Sequence, residues 1–250
     1  MRDLHNHLLY GIDDGSRTLD ESIKLLGELE KNKVTDVMFT PHYIIGSNYS
    51  ANNRVKRELL EELKKHTTMN LYFGNEVYID NDIVEFLEKD EISTLNGTRY
   101  ILIEFPLNEK LESAESIVQN IIKHGLTPII AHPERYHYLD LETLESFIEE
   151  GCLLQGNITS LCGKYGKDAK HNLELLVKKQ MIHLMGTDTH RSIYPLNDCY
   201  IALSRLVTRE MYKDITANNF LKVVNDEEII PFKIIKSSGI SGLLGNEKIK

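Results

Sequence analysis

Apolar residues along this chain follow two alternating patterns. Short runs rich in Val, Ile, Leu and Phe are separated by longer stretches in which apolar residues recur every three or four positions. The runs are typical of buried strands, and the longer stretches are typical of amphipathic helices. Their alternation predicts an α/β fold with a parallel sheet. Seven strands are predicted, near residues 3–8, 34–40, 70–77, 100–105, 127–131, 152–157 and 182–186.

Helices are predicted between these strands. Thr18 suits the N-terminal cap of the first helix, and Glu21, three residues on, completes a capping box. The later helices are predicted at residues 54–66, 83–87, 113–124, 141–150, 169–180, 196–207 and 216–224. Residues 1–230 therefore form a single predicted barrel domain. Residues 231–250 form a C-terminal tail, part of which we expect to be disordered.

Composition narrows the classes of function. Hydrophobic residues make up 41% of the 250 residues, enough for a large core, and the net charge is −9. An acidic chain without a basic run argues against non-specific binding to nucleic acid or to anionic membranes. The cysteines are odd in number and form no C-x-x-C pair, so they predict reduced thiols: Cys152, Cys162 and Cys199. The chain has no signal segment and no apolar run of about 20 residues. We therefore expect a cytoplasmic protein without membrane insertion, and the sequence leaves a homo-oligomer open.

Six of the seven predicted strands carry His, Asp or Glu at or near their carboxyl ends. In a parallel barrel these ends meet at one mouth, where sites are built. His5 and His7 point the same way if their segment is extended, because side chains alternate along a strand. The full set of candidate metal ligands comprises His5, His7, Asp14, His42, Glu76, Glu104, His132, Asp188 and His190. Two choices stay open: Asp13 could take the role of Asp14, and Glu104 could be a surface carboxylate.

Five imidazoles and four carboxylates exceed the needs of one ion. Two or three ions that share bridging carboxylates account for the set, and mixed nitrogen and oxygen ligands suit Mn²⁺, Fe²⁺ or Zn²⁺. Closely spaced ions generate hydroxide from water at neutral pH, which phosphoester hydrolysis requires. Arg135 is the first candidate for a phosphate-binding catalytic residue, and Arg191 is the second.

Other functions fit the sequence less well. The cysteines lack a nearby basic run and a C-x5-R loop, which argues against a cysteine-nucleophile phosphatase. His66, His124 and His171 lie among polar neighbours on predicted helices, where a solvated side chain is expected. A small-molecule phosphatase on the same scaffold stays an alternative. A metal-holding accessory protein without catalysis is a further one.

Several motifs resemble those of the polymerase-and-histidinol-phosphatase (PHP) superfamily. More specifically, they resemble the manganese-dependent protein-tyrosine phosphatases of bacterial capsule and exopolysaccharide loci. The similarity covers roughly residues 1–230, and its motifs are His5-Asn6-His7, Asp13-Asp14-Gly15, Thr40-Pro41-His42, Gly74-Asn75-Glu76, Ala131-His132-Pro133-Glu134-Arg135 and Asp188-Thr189-His190. The resemblance implies a distorted seven-stranded (β/α) barrel with three metal ions.

The resemblance also implies a role for each matching residue. His5, His7, Glu76 and Asp188 would hold one ion; Glu76, Glu104 and His132 a second; and Asp14, His42 and His190 the third. Arg135 matches the phosphate-binding arginine of the family, whereas a second family arginine is displaced here, with Arg191 nearby. The implied substrate is phosphotyrosine on the tyrosine-rich tail of a cognate bacterial tyrosine kinase. A small-molecule substrate such as histidinol phosphate is the alternative.

Overall fold

A computed structural model describes residues 1–235 of the chain. Within these residues the strands are β1 (Arg2–Asp3), β2 (Asp36–Phe39), β3 (His42–Tyr43), β4 (Asn70–Phe73), β5 (Glu76–Tyr78), β6 (Tyr100–Glu104), β7 (Thr127–Ala131), β8 (Leu153–Asn157) and β9 (Leu184–Gly186). The helices are α1 (Leu19–Lys31), α2 (Asn53–Leu63), α3 (Ile83–Glu88), α4 (Ala114–Lys123), α5 (Leu141–Glu149), α6 (Gly166–Lys178), α7 (Leu196–Ser204), α8 (Arg209–Lys213) and α9 (Asn219–Val224).

The strands are all parallel and close into a barrel with seven positions. One hydrogen-bonded group has the order β1-β2-β4, and the other has the order β3-β5-β6-β7-β8-β9. The first group continues into the second, because β3 follows β2 directly and β5 follows β4. The loop after β9 returns to the first strand: the amide of His7 donates to Thr189 O at 2.8 Å, and the amide of Asp188 donates to His5 O at 2.8 Å. The predicted α/β barrel is confirmed.

Two predicted strands are interrupted. Regular pairing of the first strand stops at Asp3, and Asn6 makes a single bridge to Thr189. The Asn6 side chain donates to Met38 O at 3.0 Å. This carbonyl of the neighbouring strand β2 thus accepts from a side chain of the first strand. The strand predicted at residues 70–77 is divided into β4, which ends at Phe73, and β5, which begins at Glu76. The strand predicted at 34–40 contains β2, and Pro41, which has no N–H to donate to a ladder, separates it from β3. The predicted continuous strands at residues 3–8 and 70–77 were therefore wrong in detail.

Helix boundaries also differ from the predictions. The helix predicted at 216–224 starts earlier, at Arg209, and contains a wide turn at Asp214–Asn218 between α8 and α9. At the start of α1, Thr18 Oγ1 accepts from the Glu21 amide at 3.2 Å, as predicted. The Glu21 carboxylate, however, accepts from the Arg17 amide at 2.7 Å. In the predicted capping box, the Glu21 side chain would accept from the amide of the cap residue, Thr18. It accepts instead from the amide of the residue before the cap.

Apolar clusters lie on both faces of the sheet. In β6, Tyr100 and Leu102 belong to a smaller cluster that Phe220 and Val223 of α9 join, whereas Ile101 and Ile103 belong to the large cluster beneath the helices. Because side chains alternate along a strand, Glu104 follows Leu102 on the face of the smaller cluster. The barrel therefore presents polar side chains at the carboxyl end of a face that is apolar further down.

The described part of the predicted tail lies against the barrel. The Phe232 ring stacks on His183 with 6.5 Å between the ring centroids, and the Ile235 amide donates to Lys179 O at 3.0 Å. The disorder expected for the tail concerns residues 236–250, which lie outside the described residues.

Candidate metal centre

The nine candidate ligands surround one cavity at the carboxyl end of the barrel. The cavity has a volume of about 570 Å³, and seven of the nine side chains line it. The other two, His5 and His7, are fully buried and contact Glu76, which reaches the cavity. The barrel therefore brings together side chains that are up to 185 positions apart in sequence.

Four ligand atoms form the deepest cluster. His5 Nε2 and His7 Nε2 lie 3.2 Å apart, and they lie 3.1 and 3.2 Å from Glu76 Oε2. Asp188 Oδ1 is 3.8 Å from His5 Nε2 and 3.5 Å from His7 Nε2. A divalent ion that binds N and O ligands at about 2.0–2.2 Å separates neighbouring ligand atoms by roughly 3.0–3.6 Å. The spacing of the His5, His7 and Glu76 atoms fits such an ion, whereas Asp188 Oδ1 lies slightly farther from His5.

Hydrogen bonds fix the tautomers of both deep histidines. His5 Nδ1 lies 2.8 Å from Gln155 Oε1, and His7 Nδ1 lies 2.7 Å from Asp13 Oδ2. The Gln155 amide nitrogen donates to Gly156 O and Asn157 Oδ1, so its oxygen faces His5. Because both partners accept, each Nδ1 carries the proton and each Nε2 presents a lone pair to the other. Two lone pairs 3.2 Å apart repel unless a cation or a proton lies between them. This arrangement is the form of histidine that binds metal.

Two further clusters share atoms with the first. Around Glu76 and Glu104, His132 Nε2 lies 2.9 Å from Glu76 Oε1 and 3.5 Å from Glu104 Oε1. His42 Nδ1 lies 3.1 Å from Glu76 Oε2. Nearer the surface, Asp14 Oδ1 lies 3.7 Å from His42 Nε2 and 3.4 Å from His190 Nε2. Glu76 contacts ligand atoms in two clusters, as a bridging carboxylate would.

The buried charges in these clusters shift one another's pKa values. Burial of Glu76 opposes its ionisation, yet the imidazoles of His5 and His42 hold its pKa well below the usual range. Burial, aided by the Glu76 carboxylate, raises the pKa of Glu104. Burial lowers the pKa of His132 to about 4, which leaves a neutral imidazole. Within residues 1–235, His132 Nδ1 and Asp14 Oδ1 are buried without a hydrogen-bond partner. The crowded carboxylates and neutral imidazoles fit a site that cations complete.

Asp188 is held by side chains that the sequence did not single out. Its Oδ2 accepts from Asn157 at 2.8 Å and from the Tyr165 hydroxyl at 2.6 Å, while Lys164 Nζ donates to its carbonyl oxygen at 2.9 Å. Asp188 has a φ of +49° and His132 a φ of +33°, which are left-handed conformations that cost energy for residues other than Gly. The strain at these two positions coincides with the candidate centre. Only one feature of the sequence pointed to such partners, namely the polar residues Gln155 and Asn157 within an otherwise apolar, buried strand.

The predicted arginines both line the cavity, in different surroundings. Arg135 is half-buried; its Nη1 lies 3.3 Å from Asp188 Oδ2, and its guanidinium lies 4.5 Å from the centroid of the Tyr165 ring. Arg191 is exposed, and its Nε donates to Asp14 O and Gly15 O at 3.1 Å each. Arg135 is thus directed to the deepest cluster, whereas Arg191 contacts the loop that carries Asp14. The predicted helical histidines His66, His124 and His171 are exposed, as expected.

Comparison with known proteins decides the family. The model of a family described as capsular polysaccharide synthesis, CpsB/CapC, matches residues 1–225. The chain belongs to the CpsB/CapC family. The CapC protein of Staphylococcus aureus is 34% identical over 197 residues, which cover 76% of this chain and 77% of that protein. The tyrosine-protein phosphatase CpsB of Streptococcus pneumoniae is 29% identical over 244 residues, which cover 92% of this chain and all of that protein.

A solved CpsB/CapC-family structure shares the fold. In a crystallographic study of YwqE from Bacillus subtilis and CpsB from Streptococcus pneumoniae, described as unique metal-dependent tyrosine phosphatases, one chain matches with a TM-score of 0.84 at 25% identity. The match covers 95% of this chain and all of that chain. An amidohydrolase from Mycoplasma synoviae matches with a TM-score of 0.60 at 16% identity, which shows the barrel fold alone. Within residues 1–235, no helix is both long enough and apolar enough to cross a bilayer.

Proposed function

We propose that this chain removes phosphate from phosphotyrosine on a protein, and that its substrate is the tyrosine-rich tail of a cognate bacterial tyrosine kinase. The chain is a metal-dependent tyrosine-protein phosphatase of a capsular polysaccharide synthesis family, as its relatives are named. The observation that carries the proposal is the set of overlapping ligand clusters beneath a cavity that also holds Arg135.

The ligand assignment is part of the proposal. His5, His7, Glu76 and Asp188 would hold one ion; Glu76, Glu104 and His132 would hold a second; Asp14, His42 and His190 would hold a third. Two or three Mn²⁺ ions suit these nitrogen and oxygen ligands, although the ligands also accept Fe²⁺ or Zn²⁺. Bound ions of this kind supply Lewis acidity and a nucleophile at neutral pH.

The chain's own residues bind and orient the phosphoryl group. Arg135 supplies a guanidinium that can bind two phosphate oxygens at once. Its stacking on Tyr165 and its contact with Asp188 hold the guanidinium beside the deepest cluster. Aromatic side chains of Tyr49, Tyr78 and Tyr165 line the same cavity, where the phenyl ring of the substrate can pack against them. Arg191, at the rim of the cavity, is a second candidate for contact with the substrate.

The site of action follows from the proposed substrate. Residues 1–230 would form the catalytic barrel. The three free thiols, two of them buried, suit a reducing compartment, and we place the protein in the cytoplasm. A cytoplasmic location would give the enzyme access to the phosphorylated tail of the kinase.

The test is a phosphatase assay on metal-stripped protein. Mn²⁺, Fe²⁺ and Zn²⁺ are added back separately, with a phosphotyrosine peptide, a phosphoserine peptide and histidinol phosphate as substrates. We expect Mn²⁺ to restore hydrolysis of the phosphotyrosine peptide. His42→Ala removes a ligand and should lower the rate by at least the roughly 10–100-fold that loss of a partner of a metal ligand costs, whereas exposed His171→Ala should leave the rate unchanged. Preference for histidinol phosphate, or full activity of both His42→Ala and Arg135→Ala, would overturn the proposal.

A further inference from the structure

Besides Arg135, a second cation lines the cavity. Lys164 lines it and is half-buried. Its Nζ lies 4.8 Å from the centroid of the Tyr165 ring, and the Arg135 guanidinium carbon lies 4.5 Å from the same centroid. The two charges are therefore no more than about 9.3 Å apart. Two positive charges at this distance repel each other, so an anion that contacts both of them is favoured.

The Lys164 ammonium is incompletely paired. It has three N–H donors, and one of them donates to Asp188 O at 2.9 Å. Among residues 1–235, no carboxylate oxygen lies within 4 Å of its Nζ to form an ion pair. An ammonium that is partly withdrawn from water and lacks a carboxylate partner gains from a ligand that supplies the missing acceptors. Phosphoryl oxygens in the cavity are acceptors of this kind.

The backbone holds Lys164 in place. Gly163 and Gly166, on either side of the Lys164-Tyr165 pair, have φ values of +85° and +94°, which are left-handed conformations that favour Gly. The amide of Lys164 donates to Thr159 O at 3.3 Å. The loop that carries Lys164 is therefore a defined turn at the cavity wall.

A buried carboxylate ties this turn to the one that carries Arg135. Glu134 is fully buried, and its Oε1 accepts from Ser160 Oγ at 2.8 Å and from the Asn157 amide at 3.0 Å. Glu134 precedes Arg135 in the same short turn, Pro133–Arg135, and Ser160 lies in the turn before Gly163. The separation of the two cations is thus set by hydrogen bonds within the protein.

We propose that Lys164 and Arg135, which both lie against Tyr165, together bind the phosphoryl group of the substrate, so that Lys164 is a substrate-binding residue of this phosphatase. The proposal rests on the proposed function and deepens it. Arg135 binds oxygens through a planar fork, whereas Lys164 acts as a compact charge with free donors. Arg191 lies at the rim of the same cavity, where its Nε donates to the carbonyls of Asp14 and Gly15, whereas Lys164 lies beside Arg135 at Tyr165.

A structural role for Lys164 makes different predictions. Its contact with Asp188 O could serve only to hold a strained backbone beside the metal ligands. Loss of that contact would change metal content or thermal stability and leave phosphate binding unchanged. Loss of a phosphate-binding charge would weaken phosphate binding and leave metal content unchanged.

The experiment measures binding of inorganic phosphate to Mn²⁺-loaded protein by calorimetry, together with KM and kcat for a phosphotyrosine peptide. Lys164→Met keeps the length of the side chain and removes the charge; Lys164→Arg restores a charge. Exposed Lys167→Met, three residues on, is the matched control. We expect Lys164→Met to weaken phosphate binding about tenfold and to raise KM similarly, Lys164→Arg to recover most of the loss, and Lys167→Met to change neither.

Metal content of each variant, measured by mass spectrometry of the metal ions, separates the two roles. Unchanged phosphate affinity in Lys164→Met with normal metal content would overturn the proposal, and so would weakened binding that simply follows a loss of metal. Because phosphate binding is measured without turnover, the result stands apart from the substrate assay. A wild-type protein that binds phosphate through Lys164 but does not hydrolyse phosphotyrosine would refute the proposed function and leave this binding role intact.

Discussion

The two deepest histidines each depend on one neighbouring side chain. Gln155 accepts the Nδ1 proton of His5, and Asp13 accepts that of His7. Asp13 also accepts from the amides of Gly15 and His42, so it joins the Asp13-Asp14-Gly15 loop to the next strand. These contacts favour Asp14 over Asp13 as the candidate metal ligand. Asp13 is bonded to His7 Nδ1, whereas Asp14 faces His42 and His190.

Removing the acceptor beneath His5 should weaken metal binding. Gln155→Leu keeps the approximate volume of the side chain but leaves His5 Nδ1 without its partner, so the imidazole can rotate or adopt the other tautomer. Loss of such a partner costs roughly 10–100-fold in metal affinity. Competition with a fluorescent chelator measures this affinity. Gln119→Leu, on the exposed side of α4, is the control. Equal Mn²⁺ affinity in Gln155→Leu and wild type would mean that Gln155 does not set the tautomer.

Whether a site residue could be predicted from the sequence depends on its residue type. His, Asp and Glu at strand ends mark themselves as candidates, and the structure brings all nine around one cavity. Gln155, Asn157, Tyr165 and Lys164 have side chains that occur on any surface, and only their place in the fold directs them to Asp188 and His5. Contacts across more than 100 residues, such as that of Gln155 with His5, leave no local pattern in a single sequence.

Elements position the histidines through close backbone packing. A Cβ on Gly186 of β9 would lie 2.5 Å from His5 Cβ, and a Cβ on Gly15 would overlap the carbonyl oxygen of His7. Each member of the His-x-His pair is therefore backed by a glycine from another segment. The absence of side chains at these two positions lets the first strand approach its neighbours.

Adding a methyl group at Gly186 should destabilise the protein and displace His5. We expect Gly186→Ala to lower the free energy of unfolding by about 1–3 kcal/mol, the usual cost of overpacking, and to lower Mn²⁺ affinity. Gly27→Ala is the matched control, because its Cβ would meet open space in α1. It should raise the free energy of unfolding by about 0.5–1 kcal/mol, since Gly is a poor helix former. Urea unfolding measures both changes, and a neutral Gly186→Ala would contradict the packing argument.

The elements themselves were largely predictable, and their interruptions were not. Runs such as Ile101-Leu102-Ile103 identify a buried strand by composition alone, because few other elements bury so many consecutive apolar residues. The break at Asn6 depends on a side-chain hydrogen bond to Met38, 32 residues away. The wide turn at Asp214–Asn218 contains Asp, Thr and Asn, which are weak helix formers, so the start of the helix that begins at Arg209 was predicted too late, at residue 216.

At the scale of the whole molecule, one histidine outside the candidate centre couples stability to pH. His183 is fully buried, and its Nδ1 accepts from the Leu154 amide at 3.0 Å. A proton on Nδ1 would remove this hydrogen bond, and burial lowers the pKa of His183 to about 3. The unfolded chain has a His pKa of about 6.5, so between pH 6.5 and pH 3 the unfolded state binds more protons. Stability therefore rises with pH through this window and is lost as the pH falls.

The variant His183→Asn should flatten this dependence. Asn keeps an acceptor near the Leu154 amide but does not titrate. For metal-free protein we expect the fall in unfolding free energy between pH 7 and pH 5 to be about 2 kcal/mol smaller in the variant, at about 1.4 kcal/mol per unit of pH below the unfolded pKa. Urea unfolding at the two pH values in the presence of a chelator gives the comparison. Parallel losses in both proteins would assign the acid sensitivity to other groups, among them His132.

Metal binding should stabilise the entire barrel, because the proposed ligands come from almost every strand position. Ligand that binds only the folded state at 100 times its Kd adds about 2.7 kcal/mol, which corresponds to roughly 5–10 °C in Tm for a chain of this size. We expect Mn²⁺ to raise Tm by this amount and a chelator to reverse it. Glu76→Gln removes a charge next to two clusters and should abolish most of the shift. Exposed Glu115→Gln on α4 should retain it. An equal Mn²⁺-dependent shift in Glu76→Gln would place the metal elsewhere, since no site built around Glu76 could keep its affinity after that change.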